Sequence, residues 1–177
     1  MDLFTLKHGV VAIEAATTDL HDFKALDEEG SAHRRKGNDT EAIVAWSKAV
    51  ALWKGEFLTG ISSHHQVLAL RHYSTQRVFE LAMWLAESFA TAGDHDKQID
   101  ALRAALRAAP TSERTMSELY SLLLCLNHEE QGKGLLKEFA RELIHEGIER
   151  QQVPAILRRI EQRAMLDRCA RNAKSSL

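Results

Sequence analysis

The chain has 177 residues, 45% of them apolar and 27% charged, and a net charge of −2, enough for a domain with a real core. Two prolines and nine glycines favour long helices over a many-turned β fold, and two cysteines far apart in sequence, Cys125 and Cys169, make neither a disulfide framework nor a metal motif. No run reads as a leader, and the longest apolar run, Leu122 to Leu126, is far too short for a bilayer, so a soluble cytoplasmic protein is expected.

In chain order, LFTL at 3–6 and VVAI at 10–13 read as short strands around Lys7-His8-Gly9, a β-hairpin pattern that is marginal in water alone. Asp19 or Asp22 then caps a helix to about Lys36, with Phe23, Leu26, Gly30 and His33 on one side. Gly37-Asn38-Asp39 forms a turn, and Asp39 or Thr40 opens a second helix carrying Ala42, Ile43, Trp46, Ala49, Val50 and Trp53. Lys54 to Gly60 reads as a loop with two buried anchors. Ser62 or Ser63 then caps a helix running to Ala92, longer than its neighbours and a candidate interaction surface.

The stretch from Val78 to Pro110 is the clearest unit. Val78, Leu81, Ala82, Leu85, Ala86 and Phe89 recur at spacings of three and four, the apolar stripe of an amphipathic helix. Gly93 ends it, Asp94 or Asp96 caps the next, and Ile99, Leu102, Ala105 and Leu106 form the second stripe before Pro110 stops it. Numbered from Phe79, the unit has Leu85, Ala86, Phe89, Leu102, Ala105 and Pro110 where the tetratricopeptide (TPR) pattern, with its period of about 34 residues, places its signature. It resembles that repeat, with Ala82 and Gln98 as departures.

A third copy follows, since Asn127 lies 34 residues beyond Gly93. Ser112 caps a helix with Met116, Leu119, Tyr120, Leu123 and Leu126; a second carries Leu135, Leu136, Phe139, Leu143 and Ile144, weakened at its start by Gly132 and Gly134 and ended by Gly147. Pro154 suits the first turn of a closing helix with Ile156, Leu157, Ile160, Ala164 and Met165, and the tail from about Arg171 is expected to fray.

Charge is uneven along the chain. Residues 1–30 carry seven acids against two lysines, whereas residues 158–174 carry six basic side chains against two acids. Solvated helix faces explain this, and so does attraction between the two ends within or between chains. His65 and His72 share a helix face, but no HExxH or paired Cys/His spacing accompanies them, so no metal site is expected. No nucleophile elbow or phosphate loop is present; the reading is not an enzyme, with no cofactor. Trp46, Trp53 and Trp84 fall in apolar register and are assigned to the core.

The run Asp19-Leu20-His21-Asp22-Phe23, followed by Ala49-Val50-Ala51-Leu52-Trp53-Lys54-Gly55-Glu56-Phe57-Leu58 and Gly60, resembles the bacterial transcriptional activator domain, the TPR-like module of SARP-type regulators. The resemblance covers roughly residues 19–166, its most specific element being the Leu-Trp-x-Gly-x-Phe-Leu segment. It implies an all-α, TPR-like helical repeat of three helix pairs plus a closing C-terminal helix, as one domain over 19–170, with 1–18 a hairpin and linker and 171–177 a tail. In such regulators a winged-helix domain precedes the module, and its last hairpin reads like Phe4-x-Leu6-x-x-Gly9-x-Val11. Residues 1–18 are thus expected to be its remnant, with the DNA-reading helix absent from this chain.

The functional expectation is a module for transcription regulation, signal transduction, oligomerisation and protein–protein interaction. Its partners would be a second copy, transcription machinery or a signalling protein, with no membrane partner and DNA reached only through the separate winged helix. The slightly acidic composition agrees, because DNA-binding surfaces carry a basic footprint. The alternative is a self-standing TPR adaptor binding a peptide or partner helix in its concave groove. The TPR register puts Lys24, Asp27, Ser31, Arg34 and Arg35 in that groove from the first pair, Glu80, Met83 and Glu87 from the second, and Arg114, Ser117 and Ser121 from the third.

Overall fold

A computed structural model describes the backbone of residues 4–7, 10–13, 19–55 and 65–175, and the side chains of 19–55 and 65–167. Its helices are α1 (Asp19–Arg35), α2 (Asp39–Leu52), α3 (His65–Ala92), α4 (His95–Ala108), α5 (Glu113–Cys125), α6 (Glu129–His145) and α7 (Val153–Ser175). Before them β1 (Phe4–Lys7) pairs antiparallel with β2 (Val10–Ile13). That pairing carries no part of the fold assignment, which rests on the helices. The buried anchors expected between Lys54 and Gly60 fall largely within residues 56–64, outside the described residues. The chain divides into two compact units, Met1–Phe57 and Leu58–Leu177.

What makes pairs of these helices is the residue that ends the first member of each. Gly37, Gly93 and Asn127 stand in the left-handed region at φ of 77°, 73° and 60°, and Gly147 ends α6 in the same way at 90°. The hydrogen bonding repeats with them. The amide of the following residue donates back to the carbonyl five residues earlier, Asn38 to His33 and Asp94 to Phe89 at 3.0 Å, His128 to Leu123 at 2.8 Å and Ile148 to Leu143 at 2.9 Å. This is the Schellman closure, which satisfies carbonyls a helix end would leave orphaned while reversing the chain.

The residue after each turn then starts the next helix. Asp94 accepts from the Lys97 amide at 3.2 Å, and its carboxyl is held below its ordinary value chiefly by the hydrogen bond from the Lys97 side chain. Ser112 likewise accepts from the Thr115 amide at 3.3 Å. At α2 the cap position is Asn38, one residue before the expected Asp39 or Thr40, and its side chain makes no capping bond. Asp39 and Glu41 in the first turn offset the exposed amides there through their charge.

In the first unit α1 lies against α2, with Phe23, Ala42, Ala45, Trp46, Ala49, Val50 and Trp53 buried. Gly30 permits the contact: the Trp46 indole lies where a Cβ on residue 30 would be. The indole Nε1 donates to the Asp27 carbonyl at 3.2 Å, and the Arg34 guanidinium sits 5.9 Å from the ring centroid.

In the second unit α3 packs on α4, α4 on α5, and α5 on both α6 and α7. Leu81, Leu85, Leu102 and Leu119 are buried along α3, α4 and α5. A further cluster joins Met116, Tyr120 and Leu124 of α5 to Leu136, Phe139 and Leu143 of α6 and to Val153, Ile156, Ile160 and Ala164 of α7. The closing helix is thus part of the core of the third pair. Two residues assigned to apolar stripes face outward instead, Ile144 of α6 and Met165 of α7.

Gly132 repeats the device seen at Gly30. A Cβ there would stand 2.8 Å from Tyr120 Cε2, whereas Gly134 meets nothing within 4 Å. Gly132→Ala should therefore lower stability by about 1–3 kcal/mol despite alanine's better helix propensity, through overpacking against a buried ring. Gly134→Ala, free of that clash, should raise it by about 1 kcal/mol. Denaturant melts of the two variants check this pair of opposite signs; equal shifts would contradict the packing.

Candidate interaction surface

Helix α5 decides what surface the repeat presents. Nine of its 13 residues are buried, because α4, α6 and α7 all pack against it. Ser117 and Ser121, expected in a groove, are 2% and 0% exposed and so cannot line an open one. Ser117 donates to the Glu113 carbonyl at 2.7 Å, while the Ser121 hydroxyl has no hydrogen-bond partner. Arg114, on the exposed side of α5, pairs with Glu118 at 3.0 Å.

The rest of the expected row is mixed. On α1, Lys24, Arg34 and Arg35 are exposed, Ser31 is half-buried, and Asp27 is buried with its carboxylate 3.5 Å from the Ser31 hydroxyl. On α3, Glu80 and Glu87 are exposed, and Glu80 pairs with Arg77 at 3.0 Å. Met83 is half-buried and accepts through its sulfur from Thr115 Oγ1 at 3.6 Å, which makes it a contact between α3 and α5. Six of the expected residues therefore keep solvent-facing side chains, namely Lys24, Arg34, Arg35, Glu80, Glu87 and Arg114.

Arg159 of α7 donates a two-pronged bond to the Glu113 carboxylate of α5, at 2.7 and 3.1 Å, and this partner raises the arginine above its usual value. It joins α7 to α5 on the solvent side of their apolar contact. At the Asn127 turn, Glu129 and Glu130 stand in the first turn of α6, where the helix dipole favours acids, and Glu130 is lowered chiefly by its hydrogen bond from Lys133.

Among the described residues, one group of titratable side chains has the spacing of a metal site, and it lies at the end of α6, largely exposed. Glu142, His145 and Glu146 bring ligand atoms within 4.8 Å of one another, but the histidine and its acids are spaced as solvated pairs on the last turn of α6. His65 and His72 are both exposed on α3. Trp46 and Trp53 are buried as expected, and Trp84 is half-buried.

One surface feature escaped the sequence reading. Met165 and Leu166 of α7 are 51% and 72% exposed and line a shallow hollow with Glu161 and Gln162. Inward positions of α7 are filled by Val153, Ile156, Ile160 and Ala164, so adjacent residues 165 and 166 straddle the outward line of the helix. That geometry was available from helical periodicity, but sequence alone assigned Met165 to the inner stripe.

Helix pairs reversed by left-handed turns, stacked α3 to α4 to α5 and closed by α7, define a TPR-like helical-repeat protein. Residues 18–169 match the bacterial transcriptional activator domain, and the chain belongs to that family. It is accordingly a regulatory module of the transcriptional-activator type. No curated protein matches the chain. Among the described residues no helix is long and apolar enough to cross a membrane.

The buried, unpartnered Ser121 hydroxyl gives a direct check on the covering of α5. Ser121→Ala removes a desolvated polar group and improves helix propensity, so stability should rise by about 1 kcal/mol in a denaturant melt. A loss of stability would mean that the hydroxyl has a partner and that this face is built differently.

Proposed function

We propose that this chain is the non-catalytic regulatory and self-association module of a bacterial transcriptional regulator, acting in the cytoplasm through protein contacts and leaving DNA to a separate winged-helix domain. The observation that carries the reading is the family match, which spans residues 18–169 and takes in both compact units. Charge supports the division of labour: a net charge of −2 gives no overall attraction for a polyanion, and the exposed members of the expected row mix bases (Lys24, Arg34, Arg35, Arg114) with acids (Glu80, Glu87).

Contacts through outer faces suit this module better than an adaptor that grips a peptide in a groove. Covering of Ser117 and Ser121 removes the third pair's small polar residues from any concave surface, while apolar side chains stand exposed on α7. A module that pairs regulators would use such outer faces to bring two winged helices onto repeated half-sites.

The test uses the chain by itself. At physiological salt it should leave a mixed-sequence DNA duplex unretarded in a gel, while its mass in light scattering rises with protein concentration. Retarded DNA with a constant monomer mass would contradict the reading.

A further inference from the structure

We propose that α7 pairs with α7 of a second copy of the chain, the two helices running antiparallel about a two-fold axis between residues 159 and 160. The inference rests on the self-association reading above and names the surface that carries it.

One row on the outward side of α7 matches its own reversal. At about 100° of turn per residue, Pro154, Arg158, Glu161 and Met165 fall within about 60° of arc, and all four are exposed. Their spacings are four, three and four, which read the same from either end of the helix. Their chemistry is apolar, basic, acidic, apolar, and reversal turns it into apolar, acidic, basic, apolar. An antiparallel second copy in this register therefore sets Arg158 against Glu161 twice and Met165 against Pro154 twice.

The apolar ends fit as well. Met165 and Leu166 are 51% and 72% exposed and line a shallow hollow with Glu161 and Gln162. Reversal brings the other end of the same side of α7 to this hollow, where Pro154 and Ala155 are exposed and compact. Burial of Met165 and Leu166 supplies the attraction, and the charges set direction and register.

The two charges are available for this. Arg158 and Glu161 stand three residues apart on one helix, yet no ion pair joins them, and a base N-terminal to its acid is the weaker order for such a pair. Arg159, by contrast, is held by Glu113. Burial first, and the charge of Glu161 second, raise the Tyr120 phenol above its ordinary value, but among the described residues no cation is paired with Glu161. Arg163 lies about half a turn around the helix from the row and takes no part in it.

Two α7 helices running parallel in register would set Arg158 on Arg158 and Glu161 on Glu161, so the antiparallel pair is the one in which opposite signs meet. All four residues of the row belong to one helix, and the contact is complete within the second unit of each copy.

Charge swapping tests the assignment. Arg158→Glu alone, or Glu161→Arg alone, turns two attractive contacts into two repulsive ones, so each variant should dimerise about tenfold more weakly than the parent chain in light scattering across concentration. The double variant restores opposite charges at both contacts and should return to the parent's affinity, as should an equimolar mixture of the two single variants. Arg163→Glu, off the row, should leave the dimer unchanged, and Met165→Ala should weaken it. All these positions are exposed, and circular dichroism verifies that each variant keeps its helices. Single reversals that dimerise like the parent, or a double variant as weak as the singles, would overturn the α7 pairing while leaving the module's self-association intact. A parent chain that is monomeric at every concentration would overturn both.

Discussion

Everything in this molecule depends on a chain reversal made by one residue in the left-handed conformation. At Gly37, Gly93 and Asn127 the backbone turns through positive φ, and the next amide reaches back across five residues to close the helix behind it. For an L-residue with a Cβ that conformation costs about 1–2 kcal/mol, which is why two of the three are glycine and the third is asparagine. The turn fixes where each pair begins and ends, and so which side chains meet across it.

Close approach within two of the pairs follows from a glycine placed under a large ring. Gly132 of α6 lies against Tyr120 of α5, and Gly30 of α1 lies against Trp46 of α2. A Cβ at either glycine would meet the ring, so the helices can pack at this distance only because the side chain is missing. With α5 held this tightly and packed on by α4, α6 and α7, nine of its 13 residues are withdrawn from solvent.

Much of the fold was legible in the sequence because its determinants are local. Gly37, Gly93, Asn127 and Gly147 announce the turns, Asp94 and Ser112 the caps, and the cap expected at Ser62 or Ser63 together with the end at Ala92 the unusual length of α3, 28 residues. What was not legible depends on partners distant in sequence. Ser117 and Ser121 look like surface serines until the helices that pack on α5 are in place, α7 among them more than 30 residues later. Met83 reads as a groove residue until Thr115 is seen against its sulfur. Met165 and Ile144 are apolar at positions only slightly off the inward stripe, and a one-residue ambiguity in where a stripe ends moves such a residue from core to solvent. The groove was the least legible feature, because a transferred register says which face a residue occupies and not what covers it.

The central claim, that left-handed turn residues impose the pairing, is tested most directly by Gly93→Ala. Nothing lies within 4 Å of a Cβ at this position, so sterics with neighbours play no part and the backbone conformation at a φ of 73° is isolated. Equilibrium unfolding in denaturant should show a loss of about 1–2 kcal/mol, against alanine's advantage in any helix. Equal or greater stability would mean that the turn tolerates another conformation, and that the pairing is set by the packed faces instead.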